Sequence, residues 1–116
     1  MKSLKIITFI CTVFALQSCY KPGKIQIQNK ISQVEIVDVK WGDIYIATEL
    51  LPGESSALTT IEEYEEKLPK KFKISFKMVA NNKSIYLETE EEYLLNEDEE
   101  KLITLDDATK VKSPNQ

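Results

Sequence analysis

The chain has 116 residues, with nineteen acidic side chains and no histidine. Without an imidazole it lacks the usual neutral-pH base and the usual nitrogen ligand for a metal. The fifteen basic residues are all lysine, so no guanidinium fork exists for phosphate, carboxylate or guanine. Carboxylates are therefore the main groups left to do chemistry. They crowd the last third as Glu90-Glu91-Glu92, Glu97-Asp98-Glu99-Glu100 and Asp106-Asp107.

Calcium is the natural ligand for such a segment, because it takes six to eight oxygens. Asn96, Asp98, Glu100 and Asp107 fall at the first, third, fifth and twelfth places of an EF-hand-like loop. The sixth place needs glycine and holds Lys101. Leu102 to Leu105 also alternates like a strand, so a solvated acidic turn is the simpler reading. Paired carboxylates can serve as acid and base in glycoside hydrolysis. Here no local cue would shift a pKa, and a domain this small offers little cleft.

Ser55 and Ser56 follow Pro52-Gly53-Glu54. With no histidine and no Gly-x-Ser-x-Gly elbow, their hydroxyls read as turn donors and acceptors rather than nucleophiles. Lys67, Lys70, Lys71, Lys73 and Lys77 form the one basic stretch. The net charge of −4 argues against nucleic acid as a partner. Lys73 and Lys77 alternate with Phe72, Ile74 and Phe76, which makes them the wet face of a strand. Tyr20, Tyr45, Tyr64, Tyr86 and Tyr93 suit either a protein or glycan contact or half-buried sheet positions. The residues assemble no catalytic set and imply no cofactor. The expectation is a non-enzyme.

The N-terminus carries an address. Lys2 and Lys5 precede an apolar run from Ile6 to Leu16, the length of a signal h-region and too short to span a bilayer. The run ends in Leu16-Gln17-Ser18-Cys19, which resembles the lipobox of bacterial lipoproteins. That resemblance implies cleavage between Ser18 and Cys19 and acylation of Cys19, and so a lipid anchor in the membrane. Two or more acyl chains anchor stably where one does not. The polar tether after Cys19 has no acidic sorting signal, which under the same resemblance implies the periplasmic face of the outer membrane. Cys11 would leave with the signal, so the mature domain would hold no free thiol and no disulfide.

The remaining elements alternate at period two. Ile25 and Ile27 share a face, Phe72 to Met78 alternates cleanly, and Ile85 to Thr89 and Leu102 to Leu105 follow. A phase flip at Ile36-Val37 predicts a β-bulge. Ile44 to Leu51 is apolar on both faces and reads as a central strand. Glu62 to Lys67 reads as one helical turn, capped by Thr60, with Tyr64 facing Leu68. Trp41-Gly42-Asp43, Leu51 to Glu54 and Asn81-Asn82 read as turns. The sum is an all-β fold, an antiparallel β-sandwich of about seven strands of the Ig-like or transthyretin-like kind, preceded by a signal-peptide helix. Its expected core is Ile36, Trp41, Ile46, Phe72, Ile74, Phe76, Tyr86 and Leu105. The expected organisation is signal 1–18, lipidated tether 19–23, sandwich 24–111 and tail 112–116.

Trp41-Gly42-Asp43-Ile44-Tyr45, Leu50 to Ser56 and Tyr86-Leu87-Glu88-Thr89 are similar to small β-sandwich lipoproteins of Bacteroidota-type bacteria. The resemblance implies a fold and a cell-envelope location, with no assigned activity. The leading functional expectation is an anchored module that binds or scaffolds a protein partner in the envelope. The alternative is a glycan- or calcium-binding module using the acidic last third, with a small hydrolase behind both.

Overall fold

The computed structural model describes residues 20–114. The expected signal helix, the Ser18–Cys19 cleavage site and the lipidated Cys19 lie outside these residues. Eight strands follow in order: β1 (Gly23–Lys30), β2 (Glu35–Trp41), β3 (Ile44–Leu50), β4 (Thr59–Ile61), β5 (Lys70–Ala80), β6 (Lys83–Leu95), β7 (Glu100–Asp106) and β8 (Val111–Lys112). They form two sheets, ordered β4-β1-β7 and β3-β2-β5-β6-β8. The fold is the expected all-β sandwich. One pairing departs from an antiparallel plan: β1 and β7 run parallel, from Lys24 opposite Glu100 to Lys30 opposite Asp106.

The core lies between the sheets. β1 buries Ile25, Ile27 and Asn29 and leaves Lys24, Gln26 and Gln28 half-buried, the alternation that a half-wet strand requires. Ile61, Ile103 and Leu105 complete the smaller sheet's inner face. Ile36, Val39, Trp41, Ile46, Leu50, Ile74, Phe76 and Leu95 oppose them from the larger one. Of the expected core, Tyr86 is misplaced. It sits opposite Lys77 on the outer face, 43 % exposed. Phe72 is half-buried and packs edge-on against Trp41, with ring centroids 4.9 Å apart. The Trp41 indole N–H donates to the Tyr93 carbonyl at 3.0 Å.

β2 breaks phase as its sequence predicts. Ile36 and Val39 both point inward, Asp38 between them has a φ of 51°, and the pairing with β5 shifts register between Val37 and Lys40. β3 is an edge strand rather than a central one. Its second apolar face is only partly covered, and Tyr45 stands exposed beneath the Lys40 ammonium, 4.7 Å from the ring centre.

The single helical turn expected at Glu62 to Lys67 forms, with the Glu65 and Glu66 amides donating to the Glu62 carbonyl, but its expected cap and packing do not. Thr60 lies inside β4 opposite Lys24, the Glu62 amide donates to the Glu65 carboxylate at 3.3 Å instead, and Tyr64 is 87 % exposed rather than packed on Leu68. The Asn81-Asn82 hairpin forms as expected, with both residues at positive φ and Ala80 opposite Lys83. The sandwich begins at Gly23, inside the expected tether, and β8 takes in Lys112, beyond the expected end.

Candidate functional site

A second and larger bulge lies in β6. Glu88 pairs with Ser75 and Glu92 with Lys73, so three residues of β6 stand against Ile74 alone. The ladder there loses an acceptor for the Ile74 N–H. Thr89 replaces it: its buried hydroxyl accepts from Ile74 N at 3.0 Å and donates to the Glu91 carbonyl at 2.8 Å. The bulge turns the second half of β6 away from β8, which pairs only with Glu88 and Thr89. Beyond the bond from Glu90 N to the Lys110 carbonyl, no strand among the described residues pairs with the outer edge of β6.

In the other sheet, the outer edge of β7 is likewise unpaired among the described residues. A groove of about 460 Å³ runs between these two open edges, lined by Glu90, Glu91, Tyr93, Thr104, Asp106 and Lys110 among others. Partial burial, then the charges of Glu91 and Asp106, push the Tyr93 phenol up from 10.0, so the ring stays neutral. The Asp106–Lys110 turn closes one end. Asp106 accepts from Ala108 N and Thr109 Oγ1, while Thr109 Oγ1 also accepts from Asp106 N.

The residues first considered for calcium are not brought together. Asp98 pairs with Lys21 at 3.8 Å, Glu100 lies 4.0 Å from Lys24, and Asn96 bonds Glu99. Asp107 lies beyond the far end of β7, about 20 Å away at the rise of a strand. There its carboxylate accepts from the Ser32 amide at 2.9 Å and the Ser32 hydroxyl at 2.6 Å. These two bonds hold Asp107 below its ordinary value of 3.8. Among the described residues no three acidic side chains gather as a metal would need.

Ser56 is buried and structural. Its hydroxyl accepts from Ile27 N and donates to the Ala57 carbonyl, continuing the β4 side of the β1 ladder. Ser55 bridges Gln28 on the same ladder. Lys73 and Lys77 lie on the wet face, paired with Glu88 and Asp38. Among the described residues no helix is long and apolar enough to cross a membrane.

Sequence reasoning missed the groove because it ended β6 at Thr89. The apolar triplet Tyr93-Leu94-Leu95 after the glutamates was the available signal that the strand resumes. The geometry defines a small β-sandwich with a groove between the open edges of β6 and β7, its charge set by Glu90, Glu91 and Asp106 against Lys110. Comparison with protein-family models, with curated proteins and with solved structures finds no match.

Proposed function

We propose that this chain is a cell-envelope lipoprotein, acylated on Cys19, whose sandwich is a non-enzymatic module that binds a protein partner. The observation that carries the reading is Leu16-Gln17-Ser18-Cys19 at the end of a lysine-flanked apolar leader. The sandwich adds support. Its first strand starts at Gly23, and the Lys21 carbonyl already accepts from Asp98 N. A chain spans at most about 3.6 Å per residue, so an anchor at Cys19 would hold the domain within about 15 Å of the bilayer. Such a tether would keep the Gly23 end of the sandwich near the membrane, within reach of neighbouring envelope proteins. The outer-membrane, periplasm-facing location belongs to the same proposal.

The test is palmitate labelling of cells expressing the chain or its Cys19→Ala variant, followed by cross-linking in the membrane fraction. Label on the wild type alone, with a specific cross-linked envelope protein that disappears in the variant, is the expected result. Equal labelling of both proteins overturns the anchor. A wild-type pattern containing only lipid overturns the partner.

A further inference from the structure

β7 is an edge strand whose middle lacks the usual protections. Exposed edges are normally kept short, charged, bulged or broken by proline, because their free N–H and C=O groups template another strand. The other edges follow this rule: β4 has three residues, β8 has two, β3 borders the register shift in β2, and the open half of β6 follows a bulge and carries Glu91 and Glu92. β7 differs. Its seven residues pair with β1 in one unbroken register; its charges, Glu100, Lys101 and Asp106, sit at the two ends, and the middle, Leu102-Ile103-Thr104-Leu105, carries no charge and no proline. Leu102 is 55 % exposed beside this edge.

The groove along the edge sets the occupant's charge. Glu90, Glu91 and Asp106 line it against Lys110 alone, and among the described residues none of the three carboxylates has a lysine within 4.0 Å. Tyr93 lines the same groove, and an aromatic ring there adds to the attraction for a cation. A second copy of this chain would bring its own Glu90, Glu91 and Asp106 against these residues, which like-charge repulsion opposes.

We propose that the open edge of β7 takes up an extended segment of a partner protein as an added strand, with lysine or arginine side chains on alternate positions entering the Glu90–Glu91–Asp106 groove. Main-chain hydrogen bonds to β7 supply affinity, and the acidic groove supplies selectivity. This deepens the reading of the chain as a protein-binding module and rests on it.

The test uses the full-length chain in a mild detergent, offered a displayed library of random segments about eight to ten residues long, enough to match β7. Selected segments should carry Lys or Arg at every second position. Their binding should weaken at least about tenfold on the double charge reversal Glu90→Lys with Glu91→Lys, which leaves the core intact. Thr104→Pro, which removes an N–H and distorts the edge, should abolish it. The proposal is overturned by three outcomes. They are no enrichment over a scrambled surface, equal binding to both charge states, and self-association of the chain that Thr104→Pro abolishes. The last hands the edge to a second copy. If cells yield a cross-linked partner while the library yields no segment, the edge proposal fails and the binding-module reading stands.

Discussion

Asn29 is fully buried at the end of β1, where three chain segments meet. Its Nδ2 donates to the Val34 carbonyl at 2.8 Å and the Leu50 carbonyl at 3.0 Å, and its Oδ1 accepts from Ile31 N at 3.0 Å. One amide thus ties β1 to the β1–β2 turn and to the end of β3. Leucine has a similar volume but would leave two carbonyls and one N–H without partners, each costing about 1–3 kcal/mol when buried. Asn29→Leu should lower stability by about 3 kcal/mol in urea unfolding. A loss below about 1 kcal/mol would mean that water replaces the amide.

At the same scale, Asp107 clasps Ser32 and is held below 3.8 by those hydrogen bonds. A depressed carboxyl stabilises above its unfolded pKa, and that contribution is lost as pH falls through the folded value. Glu35 has the opposite sign: partial burial and the charge of Glu49 raise it above 4.5. Its contribution is present below 4.5 and lost as pH rises through the raised value. Asp107→Asn should therefore flatten the decline in urea midpoint below pH 3.8. Glu49→Gln should instead raise the midpoint near neutral pH. Unchanged pH profiles in both variants would remove both assignments.

At the scale of elements, the β2–β3 turn depends on Gly42. Its φ is 61°, while Asp43 keeps the ordinary sign, the arrangement of a hairpin turn with glycine first. A Cβ built there would lie 2.6 Å from Phe72 Cγ, against the ring that packs on Trp41. Gly42→Ala should cost about 2 kcal/mol or more, from the positive φ and the displaced ring together. Near-UV circular dichroism of Trp41 should change with it. An unaltered tryptophan signal would show that the ring pair does not depend on the turn.

For the whole molecule, topology decides kinetics. The smaller sheet closes only when Lys24 meets Glu100, nearly the length of the domain apart. Such non-local pairing is slow, because loop closure must precede any gain. β7 should therefore dock after the antiparallel β2-β5-β6 ladder has formed. Ile103→Ala, in the buried face of β7, should cost about 3 kcal/mol and do so mainly as faster unfolding. A loss expressed mainly as slower refolding would place β7 in the nucleus.

Local chemistry made much of this readable in advance. Period-two alternation in β1, the phase flip in β2 and the Asn81-Asn82 turn depend on nearest neighbours, and each stands where the residues put it. The reading of Ile44 to Leu51 as a central strand failed because apolar residues on both faces do not distinguish a covered strand from an edge one. Tyr86 failed because the hairpin register sets it opposite Lys77, on the solvent face. The fold class was therefore determined by sequence alone, through periodicity and turn residues. The parallel β1–β7 pairing, the buried roles of Asn29 and Thr89 and the groove at Glu90, Glu91 and Asp106 were decided only by tertiary structure. They join residues far apart in the chain, and a hydrogen bond between such residues leaves no periodic mark in either segment.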